Sequence, residues 1–121
     1  MRQELKDLKA HIYDDGSISE AEVALLKSMF AAYGFGDDEA RLLLDLNNIL
    51  SGTEYPGSFE DLFIEALSGY MVRGDGQLDT AHWNWLTERL LQDGAIDDLE
   101  RRLILRVVEQ AKNPPDVSKL I

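Results

Sequence analysis

Apolar residues along this chain recur at helical spacing, and nowhere do they alternate as they would in a half-buried strand. Leu5, Leu8 and Ile12 form a first stripe and predict a helix over 1–13. Val23, Leu26, Phe30 and Tyr33 form a second, and Leu42, Leu43, Leu46, Ile49 and Leu50 a third. A break at Ser51–Gly57 follows, with Ser58 as the expected cap of a fourth helix carrying Leu62, Phe63, Ala66, Leu67 and Tyr70. Trp83, Leu86, Leu90 and Leu91 mark a fifth; Leu99, Leu103, Val107 and Ala111 a sixth. Pro114-Pro115 is expected to end the last helix, since proline lacks the amide hydrogen a helix needs, and to leave 113–121 as a frayed tail. The pattern predicts an all-α fold: a compact bundle of about six helices.

Polar residues between the stripes repeat as well. Asp15-Gly16-Ser17-Ile18-Ser19-Glu20-Ala21-Glu22 resembles Asp75-Gly76-Gln77-Leu78-Asp79-Thr80-Ala81-His82 and Asp93-Gly94-Ala95-Ile96-Asp97-Asp98-Leu99-Glu100. Gly94 lies eighteen residues beyond Gly76, and the same step from Gly16 reaches Gly34. That fourth copy keeps Asp37 and the apolar pair Leu43-Leu44 but lacks the Asp before Gly, the Ile and the Glu. Gly16 and Gly76 are sixty apart, so the chain reads as a duplicated helix-pair unit. Pseudo-halves of about 9–51 and 58–112 would form one domain across 1–121.

Each repeated position has a physical role in a helix-to-helix joint. Gly takes a positive φ where a side chain would cost about 1 kcal/mol. The Ile or Leu two residues later packs inward as part of a hydrophobic staple. Ser19, Asp37, Asp79 and Asp97 then stand as N-caps, and Ser19 with Glu22 and Asp97 with Glu100 fit the capping box. The joint needs no ligand.

Composition narrows the function classes. The chain has 121 residues, no Cys and a formal net charge of −11. One core of this size holds without disulfides, and the lack of thiols suits a reducing cytoplasm. No export signal or membrane span is expected, because charges interrupt every apolar run. An acidic surface repels nucleic acid and favours cations or a basic protein partner.

Enzyme chemistry finds little support. His11 and His82 are the two histidines, neither in a metalloprotease spacing, and His82 occupies the Glu position of its copy. Gly34-Phe35-Gly36 lacks the Lys-Ser/Thr of a phosphate loop. Trp83 and Trp85 face different sides of a helix, so one is expected in the core and the other at the surface, where it could mark a partner patch. The motif also imitates the second half of an EF-hand loop, with Gly sixth, Ile eighth and Glu twelfth. The first and third places then fall on His11 and Tyr13, on Met71 and Arg73, and on Arg89 and Leu91. None of these is a calcium carboxylate, which excludes an EF-hand.

Paired Asp-Gly-x-Ile-x-x-x-Glu joints in two related halves resemble the tellurite-resistance TerB-like family of bacterial helical domains, over roughly residues 9–112. The resemblance implies an all-helical fold and an acidic site for calcium or another divalent cation where motif carboxylates meet. On this sequence the implied ligands are Asp15, Glu22, Asp93 and Glu100, with Asp75 and Asp79 auxiliary. His82 in place of Glu, and the missing Asp-Gly at Gly34, depart from the pattern. Two readings stand side by side. One is a non-enzymatic interaction module of a bacterial cytoplasm, tied to stress or tellurite resistance through a protein partner. The other is a cation-binding domain that uses the motif carboxylates.

Overall fold

The computed structural model describes residues 2–50, 52–92 and 96–117. Over these residues the regular structure is helical: α1 (Gln3–Asp15), α2 (Glu20–Tyr33), α3 (Asp37–Leu50), α4 (Gly57–Met71), α5 (Thr80–Gln92) and α6 (Asp98–Gln110). Among the described residues no helix is long and apolar enough to cross a membrane. The chain divides into two compact units, Met1–Phe63 and Ile64–Ile121, with the boundary inside α4.

In the first unit α1 packs on both α2 and α3. The stripe of Leu5, Leu8 and Ile12 is buried, as are Val23 and Leu26 of α2 and Leu42, Leu43, Leu46 and Leu50 of α3. Burying one such side chain contributes about 1.5–3 kcal/mol. Lys9 of α1 reaches Asp45 of α3 at 2.9 Å, so one ion pair ties the two helices at the edge of this apolar contact. Phe30 and Phe35 meet edge to face across the α2–α3 joint, their centroids 5.0 Å apart.

Three expectations fail here. Tyr33, placed on the α2 stripe by its spacing, is 47% exposed, and the Arg2 guanidinium lies 3.7 Å over its ring. The last turn of a helix projects past its neighbours, so periodicity alone does not bury it. Asp37 is the first residue of α3 instead of its cap, because the Ala40 N–H bonds the Gly36 carbonyl at 2.9 Å. Ser58 does not cap α4. The helix already begins at Gly57, the Phe59 N–H bonds the Pro56 carbonyl at 3.0 Å, and the buried Ser58 hydroxyl has no hydrogen-bond partner.

In the second unit α4 continues with Leu67 and Met71 buried, α5 buries Trp83, Leu86 and Leu90, and α6 buries Leu99, Leu103, Ile104 and Val107. Leu91, assigned to the α5 stripe, is instead 55% exposed: it follows the buried Leu90, and consecutive helical positions point about a quarter-turn apart. Trp85 is half-buried while Trp83 is core.

The second copy of the motif is built differently from the first. Gly16 directly follows α1, but α4 ends at Met71, five residues before Gly76. The chain doubles back through an antiparallel bridge between Val72 and Leu78. The Arg73 N–H donates to the Gln77 carbonyl at 2.9 Å, and the Asp79 N–H to the Met71 carbonyl at 2.7 Å. Gly76, at φ +84°, supplies the reverse turn inside that bridge. Residues after α6 complete it: the Lys112 N–H donates to the Gly76 carbonyl at 2.8 Å, and the Leu78 N–H to Asn113 Oδ1 at 2.9 Å. Asn113, expected in a frayed tail, is therefore tied down. α6 also stops at Gln110, ahead of the proline pair, where Ala111 turns extended at φ −75° and ψ 133°.

Candidate metal centre at the first helix joint

His11 and Asp15 stand four residues apart in the last turns of α1, a spacing that puts both on one face. Gly16 then closes the helix in the left-handed region, φ 66° and ψ 19°, its N–H bonding the Ile12 carbonyl at 2.8 Å. Ile18 is 5% exposed, which pulls the short linker inward and delivers Ser19 to the start of α2.

There the capping box forms in full. The Glu22 N–H donates to Ser19 Oγ at 3.2 Å, and the Ser19 N–H donates to Glu22 Oε1 at 3.0 Å. Using Oε1 for the cap orients the other oxygen, Oε2, back toward α1, 3.9 Å from His11 Nε2. The same imidazole nitrogen is 3.2 Å from Asp15 Oδ2. One donor atom from each of His11, Asp15 and Glu22 thus lies within 4.8 Å of the other two. Glu22 Oε2 is buried and accepts no hydrogen bond. Leaving a buried acceptor unpaired costs about 1–3 kcal/mol, so the position favours something positive beside it.

Of the carboxylates implied by the resemblance, Asp15 and Glu22 come together at this joint. Asp93 lies outside the described residues. Glu100 is 5% exposed and forms its own capping box: the Asp97 N–H donates to Glu100 Oε1 at 3.1 Å, and the Glu100 N–H to Asp97 Oδ1 at 2.8 Å. Asp75 accepts the Gln77 N–H at 3.0 Å and serves the turn. Asp79 caps α5 by accepting the His82 N–H at 3.1 Å. Its carboxyl is held below the usual aspartate range chiefly by that backbone bond; desolvation opposes the shift, and His82 and Arg73 add smaller lowering effects.

His11 is the member that motif reasoning passed over. It falls at the first place of an EF-hand alignment, where a carboxylate belongs, and so counted against calcium. The His-x-x-x-Asp spacing at the end of a helix was the available signal. The same position holds Met71 in the second copy and Arg89 in the third, so the sequence offers this donor set in one copy alone.

Beside the joint, a surface hollow of about 550 Å³ is lined by Lys9, Tyr13, Gly16, Asp45, Asn48 and Ile49. None of the three donor residues lines it. Tyr13 is 65% exposed there. No protein-family model, curated protein or solved structure matches the chain.

Proposed function

We propose that this chain is a non-enzymatic helical module that takes a divalent cation at the joint between α1 and α2, through His11, Asp15 and Glu22. The observation that carries this reading is the orientation of Glu22. Its capping box consumes one carboxylate oxygen and leaves the other buried, unbonded and directed at an imidazole and a second carboxylate. A bound ion satisfies that oxygen and links the two helices across the Gly16–Ser19 linker. A cation site of motif carboxylates is also what the TerB-like resemblance implies. That resemblance and the absence of Cys favour a bacterial cytoplasmic setting.

The test is a titration of chelator-treated protein with magnesium, calcium, manganese and zinc, followed by backbone amide shifts. Saturable shifts confined to the His11–Glu22 segment, abolished by Glu22→Gln, are expected. Gln at this position still accepts the Ser19 N–H, so the cap survives while the anionic donor is lost. Diffuse shifts that follow ionic strength alone would reduce the joint to helix-capping chemistry. A second reading, a protein-interaction module, draws on Tyr13, an exposed aromatic beside a hollow of about 550 Å³.

A further inference from the structure

Resting on that cation reading, we infer that the α1–α2 joint selects a transition-metal ion of the zinc class and discriminates against calcium. Three features of the donor set carry this.

The first is the chemistry of the donors. Imidazole nitrogen suits zinc, nickel, cobalt and copper, whereas calcium is a hard ion that takes oxygen. His11 Nε2 lies 3.2 Å from Asp15 Oδ2 and 3.9 Å from Glu22 Oε2, and the three donors all lie within 4.8 Å of one another, so an ion at the centre of the group meets that nitrogen.

The second is the number of oxygens on offer. Calcium takes about six to eight oxygen ligands, commonly with one carboxylate bound through both oxygens. Glu22 has one oxygen to give, because Oε1 accepts the Ser19 N–H at 3.0 Å. The joint supplies a nitrogen and two carboxylates, the complement of a four-coordinate ion that keeps one position for water.

The third is size. An ion with bonds of about 2.0–2.2 Å in tetrahedral geometry holds its donors roughly 3.4 Å apart. The donor atoms here are separated by 3.2 and 3.9 Å, and none by more than 4.8 Å. Small rotations of two exposed side chains, His11 and Asp15, close the remainder. Glu22 Oε2 needs no new orientation, since the cap already aims it and it has no competing hydrogen bond.

Ser19 is a positioning residue in this arrangement. It touches no ion, but its N–H fixes which Glu22 oxygen is left to bind.

Chelator-treated protein titrated separately with zinc and calcium tests the inference, with cobalt as a spectroscopic probe. Zinc is expected to bind in one equivalent, at least roughly tenfold more tightly than calcium, and cobalt to give the intense visible bands of a four-coordinate site. His11→Ala, at a position 65% exposed, is expected to weaken zinc at least about tenfold while circular dichroism stays unchanged. His82→Phe serves as a control for generic imidazole binding and is expected to leave zinc affinity intact. Calcium binding as tight as zinc at the same three residues would overturn the selectivity and leave the cation reading standing. Zinc affinity indifferent to His11→Ala would overturn it as well. No saturable binding of any cation at these residues would remove both.

Discussion

The His82 ring lies flat against Tyr70, with centroids 3.9 Å apart and planes 10° from parallel, and its Nδ1 sits 3.0 Å from the Tyr70 carbonyl oxygen. A carbonyl only accepts, so Nδ1 is the donor in this contact. This contact fastens the first turn of α5 to the last turns of α4. The backbone of the same turn leaves a Glu at this position no cap to complete. A capping-box Glu needs the N-cap amide, and the Asp79 N–H is already engaged by the Met71 carbonyl at 2.7 Å.

Restoring the motif at this position should therefore destabilise the protein. His82→Glu removes the stack and the Nδ1 bond without gaining a cap, for a loss of about 1–2 kcal/mol. Urea unfolding of the two proteins measures it. Equal or greater stability in the variant would mean that the Tyr70 contact contributes nothing.

Acid should weaken the α5 start through Asp79. The carboxyl's folded pKa is depressed, chiefly by the His82 backbone N–H, so its stabilising contribution is fully present above the ordinary aspartate value of about 3.9. It is lost as pH falls through the depressed folded value. Asp79→Asn keeps a good N-cap but cannot titrate. Its stability should lie somewhat below the parent near neutrality, where the Asp79 charge is present, and decline less steeply in acid so that the two converge, as read by unfolding midpoints across the acid range. Parallel acid limbs for the two proteins would sink the assignment.

The glycines of the first two copies should respond differently to alanine. At Gly16 an added Cβ meets nothing within 4 Å, and the cost is the positive φ alone, about 1 kcal/mol. At Gly76 the Cβ also comes within 3.0 Å of the Lys112 side chain. Gly76→Ala should cost more than Gly16→Ala, and Lys112→Ala should recover part of the difference. Thermal melts of the two single variants and the double variant decide this. No recovery in the double variant would mean that Lys112 moves aside without cost.

Much of this fold was readable from residue spacing. The buried stripes of α1 and α6, and that of α3 apart from the half-buried Ile49, follow directly from 3.6-residue periodicity, and both capping boxes, Ser19 with Glu22 and Asp97 with Glu100, stand where short-range rules put them. These are local effects, fixed by neighbours within four residues. What escaped depends on partners far away in sequence. The bridge around Gly76 shares its Asp-Gly spelling with Gly16, yet its form is set by Met71 before it and by Lys112 and Asn113 after it. At the candidate site the two carboxylates were legible as motif positions. His11 was not, because an alignment built for oxygen-binding ions treats an imidazole as a defect, and only the folded joint places it beside Glu22.

The clasp on the Gly76 turn orders events in time as well as in space. Leu78 waits for a partner thirty-five residues later, and the Gly76 carbonyl for the amide of Lys112. A ribosome exposing this chain from its first residue releases the α1–α2 joint, with its cap and donor side chains, long before residues 112 and 113 emerge. The first joint can mature on a growing chain, while the second stays unlatched until synthesis has passed it.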